Sequence, residues 1–258
     1  WDSGKKARRP LYNPSRVPYS AIIKYTIPLT LTAIALPASQ LFESIVAVRL
    51  LREMTDGATA LYGIFSGCAV TIINLPVSIT YGLAAASVPQ ISPLAEKGDI
   101  DGAKKKAYKS MLITFAISLP ASVVLFAFAP LAVKLIFASL ADGEKTILVN
   151  LVRIMAVNAV TLSLVQTSSA CLTSLGRPVR STLTQWTTAI LRVALTAVLI
   201  KFTNLSIAGA AISANCCYLV AALMNFWYIS REKSNGSTRN EDNADRIGSN
   251  GRRVDETG

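Results

Sequence analysis

Side chains able to do chemistry are thinly spread in this sequence, and their positions matter more than their number. There is no histidine, which excludes imidazole bases, His-based triads and mixed His–Cys zinc sites. The four cysteines, Cys68, Cys171, Cys216 and Cys217, fall inside apolar runs. They lack the spacing of a zinc site or of a secreted disulfide framework and read as small apolar core residues. What remains is a set of polar groups inside uncharged stretches: Gln40, Glu43, Arg49, Asn74 and Arg192. Where such stretches cross a membrane, polar groups of this kind mark substrate paths or internal counter-ions.

The surrounding composition supports that setting. Hydrophobic residues make up 52% of the 258 and charged residues 16%, against roughly 25% charged in soluble domains. Uncharged stretches occupy residues 25–42, 57–95, 110–133, 154–176 and 202–230, and a sixth, 181–200, is broken only by Arg192. A hydrocarbon core of ~30 Å needs ~20 helical residues, so each stretch can span once. The pattern predicts an all-α polytopic membrane protein with helices A (21–49), B (58–90), C (110–138), D (147–173), E (181–201) and F (204–229). The short alternating segments of a membrane β-barrel are absent. Helix B is too long for one upright span, and Asn74-Leu75-Pro76 near its middle predicts a kink or tilt there.

Charge is confined to the margins. Of the 41 charges, 7 lie in residues 1–24 and 12 in the last 29 residues, and no basic stripe is interleaved with aromatics. Nucleic acid is therefore not an expected partner despite the net charge of +11. On the N-terminal side of the six spans lie 19 lysines and arginines against 4 on the opposite side. That bias predicts a multi-pass protein of the cytoplasmic membrane with both termini in the cytoplasm. No signal-peptide pattern precedes helix A. The domain reading is a basic cytoplasmic segment (1–20), a six-helix transmembrane unit (21–229) and a disordered polar tail (230–258). The B–C connection, AEKGDIDGAKKKAYKSM, reads as an amphipathic stretch whose lysines sit at the headgroups.

Depth separates the ionisable residues. Lys134, Arg153 and Arg49 lie within about two turns of helix ends, so their stems can snorkel to the interface. Glu43 lies well inside helix A, and Arg192 is ~15 Å from either end of helix E. Two readings stay open for both: a buried counter-ion or interhelical contact, or part of a polar site in a water-filled cavity. Gln40 shares a helical face with Glu43, while Pro28 and Pro37 free backbone carbonyls along helix A. In helix B, Asn74 neighbours Pro76, and Gly63, Gly67 and Gly82 allow close packing. Broken, polar-lined helices of this kind surround substrate paths in transporters.

Several stretches carry a closer likeness. PLTL from Pro28, LFESIVAVRL (41–50), ATALYGIFSG (58–67), NLPVSITYGLAAASVPQIS (74–92) and the following KGD, then LPASVVLFAFAPLAVKLIF and SSACLTSLGRP, resemble the stage V sporulation protein B (SpoVB) group. These are polysaccharide and lipid-linked oligosaccharide flippases related to the MurJ-type lipid II flippases, in the superfamily that includes the MATE drug exporters. The likeness covers about residues 18–230 and implies the C-terminal six-helix lobe of a two-lobed transporter. It therefore implies that the chain is a fragment or half of a split protein, needing an N-terminal lobe or a second copy. It also implies that helices A and B line a central cavity, with Gln40, Glu43, Arg49 and Asn74 as substrate-path residues, while Arg192, on a helix at the back of the lobe, makes a structural contact. At the position of the MurJ-type acid–arginine pair stand Val70-Thr71, which fits the sporulation-type branch better.

The resemblance implies alternating access that moves a lipid-linked saccharide or peptidoglycan precursor between leaflets, with membrane lipid as surroundings. It implies no covalent step, no catalytic residue, no metal site and no cofactor beyond a possible Na⁺ or H⁺ coupling ion. A MATE-like exporter of cationic drugs is the alternative within transport, and Glu43 would suit it. A membrane-embedded glycosyltransferase or ligase is the alternative of another class, but the connecting loops are short for one. The topology is open to direct test in a Cys-free background. Single cysteines at positions 56 and 142 should react with an impermeant thiol reagent added outside intact cells, and one at 177 should not; labelling at 177 without leakage would refute the arrangement.

Overall fold

The structure, a computed structural model, describes residues 19–203 and 205–232. The expected basic segment up to residue 18 and the tail from 233 onward lie outside the described residues. The helices run in chain order as α1 (Tyr19–Arg52), α2 (Ala58–Gly63), a π-helix (Ile64–Ala69), α3 (Val70–Glu96), α4 (Ile100–Ala127), α5 (Ala129–Ile136), α6 (Asp142–Ser174), α7 (Pro178–Phe202) and α8 (Ile207–Ser230). Among the described residues, six helical segments are long and apolar enough to cross a membrane: Thr30–Arg52, Ala58–Glu96, Ile100–Ala127, Asp142–Ser174, Pro178–Phe202 and Ile207–Ser230. The all-helical, six-span reading of the sequence holds.

Several boundaries, and the winding of one helix, differ from expectation. Helix C was expected over 110–138, but α4 begins at Ile100, where the Asp99 carboxylate caps it by accepting the Gly102 amide. The lysine-rich connection is thus the first turns of a membrane helix. The same helix ends at Ala127, and after Phe128 the chain restarts as the short α5, with Pro130 in its first turn, where the missing N–H costs nothing. Helix B is irregular at Ile64–Ala69, N-terminal to the expected Asn74–Pro76 position. The amide of Val70 bonds the carbonyl of Phe65, five residues back. Finally, α8 continues to Ser230, and Glu232, assigned to the disordered tail, is buried. Its carboxylate sits 2.8 Å from Nη2 of Arg177 and also accepts from Nη1 of Arg180. Arg180 in turn lies over the Tyr228 ring.

Helix α6 is the hub of the bundle, packing on α3, α4 and α8. Two apolar clusters lie toward its ends. One gathers Leu148, Leu151 and Met155 with Leu51, Phe65, Ile72 and Ile200; the other joins Cys171 and Leu172 with Ile91, Ala107 and Ile229. Between them runs a ladder of small polar groups. Ser122 donates to the Ala156 carbonyl (2.6 Å), Thr80 to Ser163 (2.7 Å), and Asn225 to Ser168 and Ser169 (2.9 and 3.0 Å); the hydroxyls of Thr114 and Thr167 are hydrogen-bonded to each other at 2.9 Å. In hydrocarbon such interhelical bonds contribute about 0.6 kcal/mol each and let backbones approach closely.

Turn chemistry fixes two connections on one side. Gly98 and Gly176 follow α3 and α6 with φ of +79° and +75°. In each turn the next amide reaches back to close the helix, Asp99 to Leu94 and Arg177 to Leu172, the Schellman pattern that glycine permits. A third glycine serves packing. A Cβ on Gly209 of α8 would stand 3.2 Å from the Leu199 backbone carbon of α7. Gly209→Val should therefore lower the thermal stability of the detergent-purified protein by about 1–3 kcal/mol through overpacking. Gly82→Val, where nothing lies within 4 Å, should change it little; equal melting curves for the two variants would overturn the assigned close contact.

Candidate functional site

Helix α1 packs principally on α7, while α3 packs on α4 and α6. The space left between α1 and the α2–π–α3 segment is a cavity of about 640 Å³, lined by Pro37, Gln40, Leu41, Glu43 and Ser44 of α1, by Tyr62, Phe65, Ser66, Val70, Thr71 and Asn74 of the opposite wall, and by Arg192 of α7. Of the expected site residues, Gln40, Glu43 and Asn74 come together here. Arg49 does not. It lies near the end of α1 beside Lys201 of α7, in a separate groove.

Glu43 and Arg192 form the buried floor of the cavity, only 1% and 5% exposed. Glu43 Oε2 stands 2.8 Å from Arg192 Nη2, and Glu43 Oε1 accepts from the Thr196 hydroxyl at 3.1 Å. On its other side Arg192 Nη1 donates to the Tyr218 hydroxyl at 2.7 Å, and Ser213 of α8 donates to the Arg192 carbonyl at 3.1 Å. Thus Arg192 makes the structural contact expected of it, with Glu43 as the partner, and also reaches the cavity. The two charges offset each other, so the floor carries no net charge.

The upper wall is polar without being ionic. The hydroxyls of Ser44, Ser66 and Thr71 donate to carbonyls of their own helices, Leu41, Tyr62 and Gly67, which leaves their oxygen lone pairs available to a guest. The exposed Gln40 and Asn74 carboxamides stand on opposite walls of the cavity. The π-helix supplies Phe65 and Ser66, and its wider winding shifts the face that follows it. Sequence reasoning missed Tyr62, Ser66 and Tyr218, and met Thr71 only as one of the residues standing where a MurJ-type protein has its acid–arginine pair. Ser44, four residues after Gln40, was within reach of a periodicity argument.

Six apolar helices around a central hub, with a polar cavity open between the first helix and the second, define a polytopic membrane protein of the transporter type. The chain belongs to the MatE family, whose profile matches residues 28–198. Stage V sporulation protein B of Bacillus subtilis (strain 168) is 28% identical over 124 residues, 47% of this chain and 24% of that protein. An inward-facing multidrug resistance MATE family transporter of the MOP superfamily matches with a TM-score of 0.70 at 20% identity, over 84% of this chain and 48% of that one. A MOP superfamily transporter from Pyrococcus furiosus, described as having a binding pocket of reverse polarity, matches with a TM-score of 0.67 at 16% identity, over 83% and 46%. The chain thus spans about half the length of these solved structures and about a quarter of the curated relative. Family and fold are those of transporters rather than enzymes.

The pairing of Glu43 with Arg192 makes a specific demand on double substitutions. Removing one member of a buried ion pair strands the other, at about 3–5 kcal/mol. Glu43→Gln and Arg192→Gln should each lower the thermal stability of the purified protein by an amount of that order, and the double variant should recover most of the loss. Additive losses would show that the two side chains are not energetically coupled.

Proposed function

We propose that this chain forms one lobe of a flippase of the MOP superfamily, which moves a lipid-linked saccharide across the cytoplasmic membrane by alternating access. The observation that carries the reading is the neutral, hydroxyl- and carboxamide-lined cavity between α1 and α3. Neutral donors and acceptors suit a polyhydroxylated guest, whereas a cationic drug needs an uncompensated carboxylate. The carboxylate lining this cavity, Glu43, is already neutralised by Arg192, which disfavours the MATE-like exporter reading. The likeness to stage V sporulation protein B points the same way.

The cavity has walls from α1, the α2–π–α3 segment and α7, and a second six-helix lobe, or a second copy of this chain, would complete it. The 258-residue chain alone is then not expected to transport. Both termini lie in the cytoplasm in this reading, and an ion coupled to transport would be Na⁺ or H⁺. If the lipid carrier is joined to its saccharide through a pyrophosphate, the cations that meet it would come from the completing lobe, because Arg192 is committed to Glu43.

The test is made in the assembled two-lobe transporter. Gln40→Leu together with Asn74→Leu should lower flipping of a lipid-linked saccharide in proteoliposomes by about tenfold, on the order of 1.4 kcal/mol, at unchanged protein abundance. Undiminished flipping by that variant, or flipping by the purified monomeric chain, would overturn the assignment; cation-drug efflux that depends on Glu43 would favour the exporter.

A further inference from the structure

The face of α1 turned away from the cavity carries a second feature. Ala38, Phe42 and Val46 of α1 and Trp186, Ile190 and Val193 of α7 line a groove of about 450 Å³ whose walls are almost wholly apolar. Val46 also lines the next cavity, of about 310 Å³, where Arg49 and Lys201 stand with Val198 and Phe202. The shared residue makes the two grooves neighbours along the α1–α7 seam, which together form a channel apolar over most of its length with Arg49 and Lys201 at one end. Lining positions recur every three or four residues on each helix, so the channel runs along both helix axes.

Its dimensions and charges select an occupant. From Ala38 to Arg49 is about 17 Å and from Trp186 to Lys201 about 22 Å at the helical rise, somewhat more than half of a ~30 Å hydrocarbon core. That is the reach of one aliphatic chain entering from one leaflet. Among the described residues neither Arg49 nor Lys201 has a carboxylate partner, so two like charges share the channel mouth uncompensated. We infer that this seam binds an anionic phospholipid, its phosphate held by Arg49 and Lys201 and one acyl chain laid along Val46 and Phe42 toward Trp186. The site is separate from the polar cavity, and the inference does not depend on transport.

The full chain is placed in nanodiscs of phosphatidylcholine doped with a phospholipid carrying a photoreactive acyl chain, with either a phosphatidylglycerol or a phosphatidylcholine headgroup, and labelled peptides are mapped. The phosphatidylglycerol probe should label the stretches around Phe42 and Ile190 well above the other bilayer-facing helices, and the phosphatidylcholine probe should not. Arg49→Gln and Lys201→Gln should each weaken that labelling about fivefold, the equivalent of roughly 1 kcal/mol per cation. Ala194 of α7 also lines the groove, so Ala194→Trp, which fills it and keeps both cations, should abolish the labelling while Lys134→Gln leaves it unchanged. Equal labelling by both probes would mean ordinary surrounding lipid only, and insensitivity to Arg49→Gln and Lys201→Gln would reduce those cations to helix-end charges. Protection of the groove from both probes would mean that a second copy covers it. Each of these results overturns the assignment.

Discussion

A carboxylate and a guanidinium inside a bilayer are tolerable together and ruinous apart. The contact between Glu43 and Arg192 therefore sets where α1 can stand. Helix α1 has its extensive packing on α7 alone, and the pair fastens that seam at its middle, with Tyr218 of α8 fixing the far side of the guanidinium. Because α1 is held to α7, it stands off from α3, and the standing-off is the cavity. The same contact removes net charge from the cavity floor, so the site's chemistry passes to the hydroxyls and carboxamides above it.

The other half of the lobe is organised on a different principle. Helix α6 meets three neighbours through serines, threonines and an asparagine rather than through charges. Such bonds are individually weak and tolerant of small shifts. The lobe thus combines one strong, localised fastening at the α1–α7 seam with a distributed, low-energy ladder around α6. Domain-level rearrangement would be expected to preserve the first and slide along the second.

How much was legible in the sequence depended on whether the signal was local. Six spans followed from uncharged runs, because hydrocarbon excludes charge along a contiguous segment. Glu43 and Arg192 were each conspicuous by depth, but their pairing joins residues on different helices far apart in the chain, and no spacing rule connects them. Arg49 was grouped with Glu43 by a likeness along α1. Six helical residues at 100° each turn through 240° net, which carries Arg49 off the cavity face toward α7. The start of α4 was misplaced because lysines were read as ending the membrane segment, whereas Asp99 caps the helix ahead of them. Glu232 looked like part of a solvated tail until Arg177 of the α6–α7 turn and Arg180 of the first turn of α7 supplied its counter-charge.

The π-helix between α2 and α3 has a consequence for how this gene can change. It holds one residue more than an α-helix would need for the same rise, a surplus stored in an otherwise regular rod. Deleting a single codon within 64–69 would let the rod close into uninterrupted α-helix, with the upstream half rotated by about 100°. Tyr62 would then leave the cavity wall while everything from Val70 onward kept its partners. Frame-preserving indels in this short window are accordingly a means of redrawing one wall of the cavity without refolding the lobe. Relatives that differ here by a residue in length should differ in what they carry sooner than in whether they fold.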